Sequence, residues 1–191
     1  MALHSAENRG LRELYVTGRQ LRRHWRKLAG RLEATGGAGA AQLREGSDAA
    51  RAMLSQLTDI TAARGLWGKP GAQGFGAQLA GLRNALVDPA LEVNQALRLA
   101  VLDVQHVVTL LAYLERLAAQ REDEQLRAFL GGWGERMRAH EDAIRDVAIG
   151  LGDAPAKAIA PCTPGLAGRA AHGLANRVGT LGEWFDRRSA R

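Results

Sequence analysis

Two histidines and their acidic neighbours are the residues around which chemistry could gather in this chain. Asp103 and His106 stand three positions apart inside QALRLAVLDVQHVVTLLAYLERLA, the most apolar stretch of the sequence. That spacing places both on one helical face. His140 lies on another apolar line, with Glu141 beside it and Glu135 five residues earlier. If the two helices carrying these residues pack antiparallel, their midpoints meet and His106 approaches His140. Two imidazoles with one or two carboxylates suit zinc or non-haem iron. The competing expectation, and the favoured one, is that Asp103, His106 and Tyr113 form a satisfied hydrogen-bond cluster in the core. No complete Glu-x-x-His pair stands in either helix.

A second group is Arg22-Arg23-His24-Trp25-Arg26-Lys27, the densest basic run. Arg22, Arg23, Arg26 and Lys27 would attract phosphates, with Trp25 as an aromatic on which a base could stack. The plainer expectation is a solvated helix face with Trp25 turned inward. His4, His24 and His172 read as surface or flanking residues. Cys162 follows Pro161 in a loop. A nucleophile needs a base and an oxyanion site, and nothing local supplies either, so this thiol reads as a spectator. Near the C-terminus an apolar edge ends in Trp184-Phe185, with Arg169, Arg177, Arg187 and Arg188 on the other side. Trp184, Phe185, Arg187 and Arg188 are the expected interaction residues, packing on the bundle or a partner in preference to an anionic membrane. No Walker loop, strand-borne Gly-x-Gly-x-x-Gly, Gly-x-Ser-x-Gly or His-Glu-x-x-His occurs.

Gly and Pro divide the chain into the helices that would position these residues. The first spans about residues 5–33, with Gly10/Leu11, Leu14, Gly18, Leu21, Trp25, Leu28 and Leu32 at three- and four-residue steps. The second, about 40–64, aligns Leu43, Ala50, Met53/Leu54, Leu57 and Ile60, and ends at Gly65 as a C′ glycine. A Gly-rich connection over 65–89 carries a short helix near 77–86. The third helix runs from Pro89 to Gln120, and its apolar width argues for burial on several sides. The fourth, about 123–150, aligns Leu126, Phe129/Leu130, Trp133, Met137, His140, Ile144, Val147 and Leu151. No segment alternates with the period of a strand. The fold class expected is all-α, an antiparallel four-helix bundle with one long crossover connection and an additional C-terminal helix. The bundle should occupy residues 1–152, a Pro/Gly-rich linker 153–165, and a basic amphipathic helix 166–191.

Composition bounds the possibilities. At 191 residues, one core can bury roughly 70% of the unfolded chain's surface without staples. A single cysteine excludes an intramolecular disulfide and a Cys-based zinc site. Arg or Lys recurs every few positions through residues 1–30, and no apolar run reaches 18 residues. Neither a signal peptide nor a membrane span is therefore expected, and a cytoplasmic location is. The net charge is +6, but 23 of the 26 basic residues are Arg, a skew that points to coding bias as much as to an acidic partner. Residues 1–36 are net +5 and 161–191 net +3, whereas 37–160 are net −2.

The order of segments resembles the YciF-like, stress-associated group of ferritin-like bundles. Leu11-Arg12-Glu13-Leu14-Tyr15 through Gln20-Leu21 is similar to its first-helix opening, where Leu-Tyr precedes a metal-ligand Glu and then Gln-Leu. Leu43-Arg44-Glu45-Gly46-Ser47-Asp48-Ala49-Ala50, with Leu57 and Gly65, is similar to its second helix. Gln105-His106 and Tyr113 resemble its third-helix Glu-His and Tyr, and the helix reaching Ile144 resembles its acid-rich fourth. The resemblance covers about residues 8–152 and rests on pattern and order. Ferritin-like di-metal centres take a Glu from each of two helices and Glu-x-x-His from each of the others. Carried across, the first-helix Glu falls on Gly18, and the second-helix His and Glu on Gly46 and Ala49. The third-helix Glu falls on Gln105, and the fourth-helix acidic pair near Arg136-Met137. The resemblance thus implies a member whose di-metal centre has been lost.

The function expected is non-enzymatic association with protein, as a homodimer or with a partner held by the bundle face or the C-terminal helix, and no cofactor. One alternative is an oxidoreductase or stress protein binding iron, manganese or zinc through Asp103, His106, His140 and Glu141. Another is a basic bundle that associates with nucleic acid through Arg22, Arg23, Arg26 and Lys27.

Overall fold

Helix α1, Ser5–Ala34, follows directly from its apolar spacing: Gly10, Leu11, Leu14, Gly18, Leu21, Trp25, Leu28 and Leu32 are all buried. It begins in a capping box, His4 accepting from the Ala6 N–H (3.2 Å) while the Glu7 carboxylate accepts from the His4 N–H (3.2 Å). These are the atoms of a computed structural model, which describes residues 4–66 and 91–163 together with Gly165 and Gly173. The short helix expected over 77–86 and the C-terminal helix over 166–191 lie outside the described residues.

Helix α2, Ala40–Ala62, buries Leu43, Ala50, Met53, Leu54 and Leu57, as its spacing requires. Gly65, at φ +73°, closes it: its N–H reaches the Ala62 carbonyl and the Leu66 N–H reaches Thr61. A side chain would oppose that left-handed backbone, which is why glycine stands there. Helix α3, Val93–Gln120, is the most hydrophobic, and α4, Glu124–Gly150, follows it after a three-residue turn. The turn ends α3 in the same manner as Gly65 ends α2, but with Glu122 in the left-handed position (φ 57°). Asp123 then caps α4 by accepting from the Leu126 N–H at 3.0 Å. A 3₁₀ turn, Leu151–Asp153, and the short α5, Pro155–Ala158, complete the described chain.

Every regular element among the described residues is helical, and the long helices pack against one another. Each long helix rests on two others: α1 on α2 and α3, and α4 on the same pair. The start of α1 meets the end of α3 through Glu7 and Arg121, and its later part meets the middle of α3 through His24 and Asp103. Gly18 of α1 lies against Met53 and Leu54 of α2, whereas Ser47 of α2 donates to the Arg22 carbonyl (3.0 Å). Arg64, following α2, reaches Asp123 before α4, and Trp133 of α4 donates to Gln56 (2.9 Å). Asn94 of α3 donates to the Ala148 carbonyl of α4 at 2.7 Å. The core between them holds Trp25, Leu14, Leu28, Met53, Leu57, Leu97, Leu111, Met137 and Ile144, all essentially inaccessible.

Two boundaries differ from the sequence expectation. The third helix starts at Val93, not Pro89, because Leu91 and Glu92 are engaged by a returning segment. The Val93 N–H donates to the Ala160 carbonyl and the Cys162 N–H to that of Leu91, both at 2.9 Å. Glu92 and Pro161 thereby form an isolated antiparallel bridge, and among the described residues there is no strand. Residues 153–163, expected as linker, instead fold back on the beginning of α3 and bury Cys162 completely. Helix α3 also has the length and apolar content of a membrane span (mean hydropathy 1.5 over its best window), and half of that window is buried inside the protein.

Candidate functional site

The positions onto which the family resemblance carries metal ligands lie at different depths. Gly18 and Gly46 are buried, and each makes room for a bulky neighbour. A Cβ at Gly46 would fall under 3.0 Å from two ring atoms of Trp25, so the indole occupies the volume a side chain would need. A Cβ at Gly18 would meet the Met53 methyl at 3.0 Å. Trp25 is wholly buried, and its Nε1–H donates to the Ala100 carbonyl at 3.3 Å. Met137 is likewise buried. Ala49 is half-buried at the margin of the core, whereas Gln105 is exposed and does not face the interior. The positions around Trp25 and Met53 are therefore filled by indole, thioethers and aliphatic chains, and the two buried carboxylates among the described residues, Glu7 and Glu141, are each paired with an arginine.

The four metal candidates do not converge. Asp103 and His106 share the outer half of α3 but take different partners. Asp103 turns to α1, where the His24 Nδ1–H donates to its Oδ2 at 2.5 Å. His106 is exposed and approaches Glu13 of α1 (Nε2 to Oε1, 3.3 Å). His140, on α4, lies half-buried near Glu45 of α2. Burial pushes its pKa below the usual imidazole value, although the Glu45 carboxylate pulls the other way. Glu141 is buried and pairs with Arg145 one turn along. Tyr113 is exposed, so the anticipated core cluster of Asp103, His106 and Tyr113 is replaced by two separate pairs. Among the described residues no group of three or more His, Cys, Asp or Glu side chains is placed to hold a metal ion.

His24, expected at the surface, is the buried histidine of the protein's first helix. Its position between Leu21 and Leu28 was the available signal, since it borders the apolar arc; the adjacent arginines masked it. A second feature not anticipated closes one end of the bundle. Glu7 is buried and ion-paired to Arg121, while Arg64 makes a bidentate pair with Asp123 (Nη2 to Oδ1 2.8 Å, Nε to Oδ2 3.0 Å). Burial opposes ionisation of Asp123. The Arg64 hydrogen bonds, the Leu126 N–H and the charges of Arg64 and Arg121 together overcome it, so the carboxyl lies below its ordinary pKa.

In the basic run, Arg23, Arg26 and Lys27 are exposed and Arg22 is half-buried. Trp25 faces the core, so it offers no ring for stacking from outside. Cys162 is buried. Trp184, Phe185, Arg187 and Arg188 lie outside the described residues. No protein family, no curated protein and no solved structure matches this chain.

Proposed function

We propose that the protein is a ferritin-like bundle without enzymatic activity that works by associating with protein, a second copy of itself first of all. The observation that carries this reading is the apolar centre. Where a di-metal bundle aims carboxylates inward, this one seats Trp25 over Gly46 and Met53 against Gly18. The antiparallel ferritin-like topology is supported by the contacts between helix ends. Early residues of α1 meet late residues of α3, and α2 pairs with α4 in the same reversed order. On that reading α2 and α3 point the same way, the arrangement of a bundle with one long crossover connection.

Association is supported by the outer side of α3. Leu102 and Tyr113 are 55% and 48% exposed. Eleven residues are close to three helical turns, so both lie on one outward line, with His106 and Thr109 between them. Large apolar side chains aligned on a solvent face suit a protein interface. Sedimentation equilibrium combined with elemental analysis tests the proposal. Wild type should be a dimer free of stoichiometric iron, manganese or zinc, and the Leu102→Glu/Tyr113→Glu variant should be monomeric with unchanged helicity. A monomeric wild type at tens of micromolar, or one metal ion per chain in protein purified without chelator, would overturn it.

A further inference from the structure

The outward arc of α1 carries a row of cations that, among the described residues, is almost unopposed by carboxylates. Arg9, Arg12, Arg19, Arg23, Arg26 and Lys27 recur along the side opposite the buried residues, with Val16 in the same row. From Arg9 to Lys27 the stripe is about 27 Å long at 1.5 Å per residue. The three acidic residues of the helix all lie elsewhere and are taken. Glu7 is buried against Arg121, Glu13 turns toward His106, and Glu33 pairs with Arg44. Arg19 rests over the Tyr15 ring, and Arg26 has only a distant contact with Asp48 (3.8 Å). Arg9, Arg12, Arg23 and Lys27 are exposed and, among the described residues, have no carboxylate within ion-pair distance.

From this we infer that the outer face of α1 binds the phosphate backbone of duplex nucleic acid without reading its sequence. A rigid row of mostly guanidinium groups, each able to hold phosphate oxygens bidentately, complements a duplex that presents one charge per about 1.7 Å of axis. Two other polyanions fit less well. A helix lying on an anionic membrane sinks an apolar face into it, and the apolar face of α1 is wholly committed to the core. A single strand is held by stacking on aromatic rings, and both aromatics of α1, Tyr15 and Trp25, are buried.

Fluorescence anisotropy with a labelled 24-base-pair duplex, using the full chain at 50–300 mM NaCl, tests the assignment. Five exposed cations, Arg9, Arg12, Arg23, Arg26 and Lys27, predict a slope of log K against log salt of about −4.5. Arg12→Ala/Arg23→Ala should flatten that slope by about 1.8 and weaken binding tenfold or more at 100 mM. Arg127→Ala/Arg138→Ala removes the same charge from exposed positions of α4, a helix that packs chiefly on α2 and α3, and should change neither quantity. Far-UV circular dichroism verifies that both variants stay helical. Absence of binding at 50 mM, equal weakening by the two double variants, tighter binding to a single strand, or capture by phosphatidylglycerol vesicles with none by duplex would each overturn the inference.

Discussion

Replacing Gly46 by alanine adds one methyl group at the point where α2 passes closest to the Trp25 ring. In most exposed helical positions Gly→Ala stabilises by about 1 kcal/mol, because alanine has less backbone freedom to lose. At Gly46 the new Cβ would lie under 3.0 Å from two carbons of the indole. The ring cannot yield easily: it is fully enclosed and tied to the Ala100 carbonyl. Overpacking of a tight core costs about 1–3 kcal/mol, and displacing the indole forfeits about 1 kcal/mol more for its hydrogen bond. Net of the propensity gain, Gly46→Ala should destabilise by about 2 kcal/mol, a fall in Tm of roughly 4–8 °C for a chain of this size. Gly30, also helical but exposed with nothing within 4 Å of an added Cβ, is the internal control. Gly30→Ala should stabilise by about 1 kcal/mol. Urea unfolding followed by circular dichroism gives both values, and Trp25→Leu combined with Gly46→Ala supplies the coupling. The smaller side chain should recover most of the loss at position 46. If Gly46→Ala is as stable as wild type, or if the two substitutions add independently, the indole does not fill that space and the account of the core is wrong.

Four further outcomes are expected. Glu122→Gly relieves the left-handed backbone between α3 and α4 (φ 57°) and should raise stability by up to about 1 kcal/mol in the same unfolding assay. Arg121→Met should cost about 3–5 kcal/mol by leaving the buried Glu7 carboxylate unpaired, and Glu7→Met in the same chain should recover most of it. Asp123→Ala removes the α4 cap and the Arg64 pair together, for about 2–3 kcal/mol at neutral pH by chemical denaturation. Because the folded pKa of Asp123 is depressed, that difference should be full above the unfolded carboxyl value and vanish as pH falls through the folded one. His140 is also depressed, by burial, so the folded protein binds fewer protons there than the unfolded chain. Stability should therefore fall as pH drops below about 6.5, the unfolded imidazole value. His140→Gln should lessen that fall in midpoint measurements taken between pH 5 and 7.5.

How much of this was legible depends on how local the cause is. The buried lines of α1, α2 and α4 follow from three- and four-residue spacing, and Gly65 marks its helix end by the backbone angle it must adopt. The start of α3 falls four residues later than the spacing predicts because the partners that hold Leu91 and Glu92 out of the helix, Ala160 to Cys162, are about seventy positions away. For His24 the burial is legible from its place between Leu21 and Leu28, but its partner, Asp103, stands on another helix and leaves no local trace. His106 was drawn inward by the hydrophobicity of α3. A helix apolar nearly all round gives no contrast from which to tell its outer side, and Leu102 and Tyr113 prove to be on it. The bidentate Arg64–Asp123 pair leaves no local trace at all, since an arginine after a glycine-closed helix and an aspartate before the next are ordinary at both places.

The bridge between Glu92 and Pro161, with Cys162 sealed behind it, joins positions about seventy apart in the sequence. What lies between them is chiefly the α3–α4 hairpin, so the bridge closes that hairpin into a ring. The entropy lost in closing such a ring grows only with the logarithm of its length, and two backbone hydrogen bonds hold the closure in register. The first turn of α3 and the short α5 therefore fray together, as one cooperative unit.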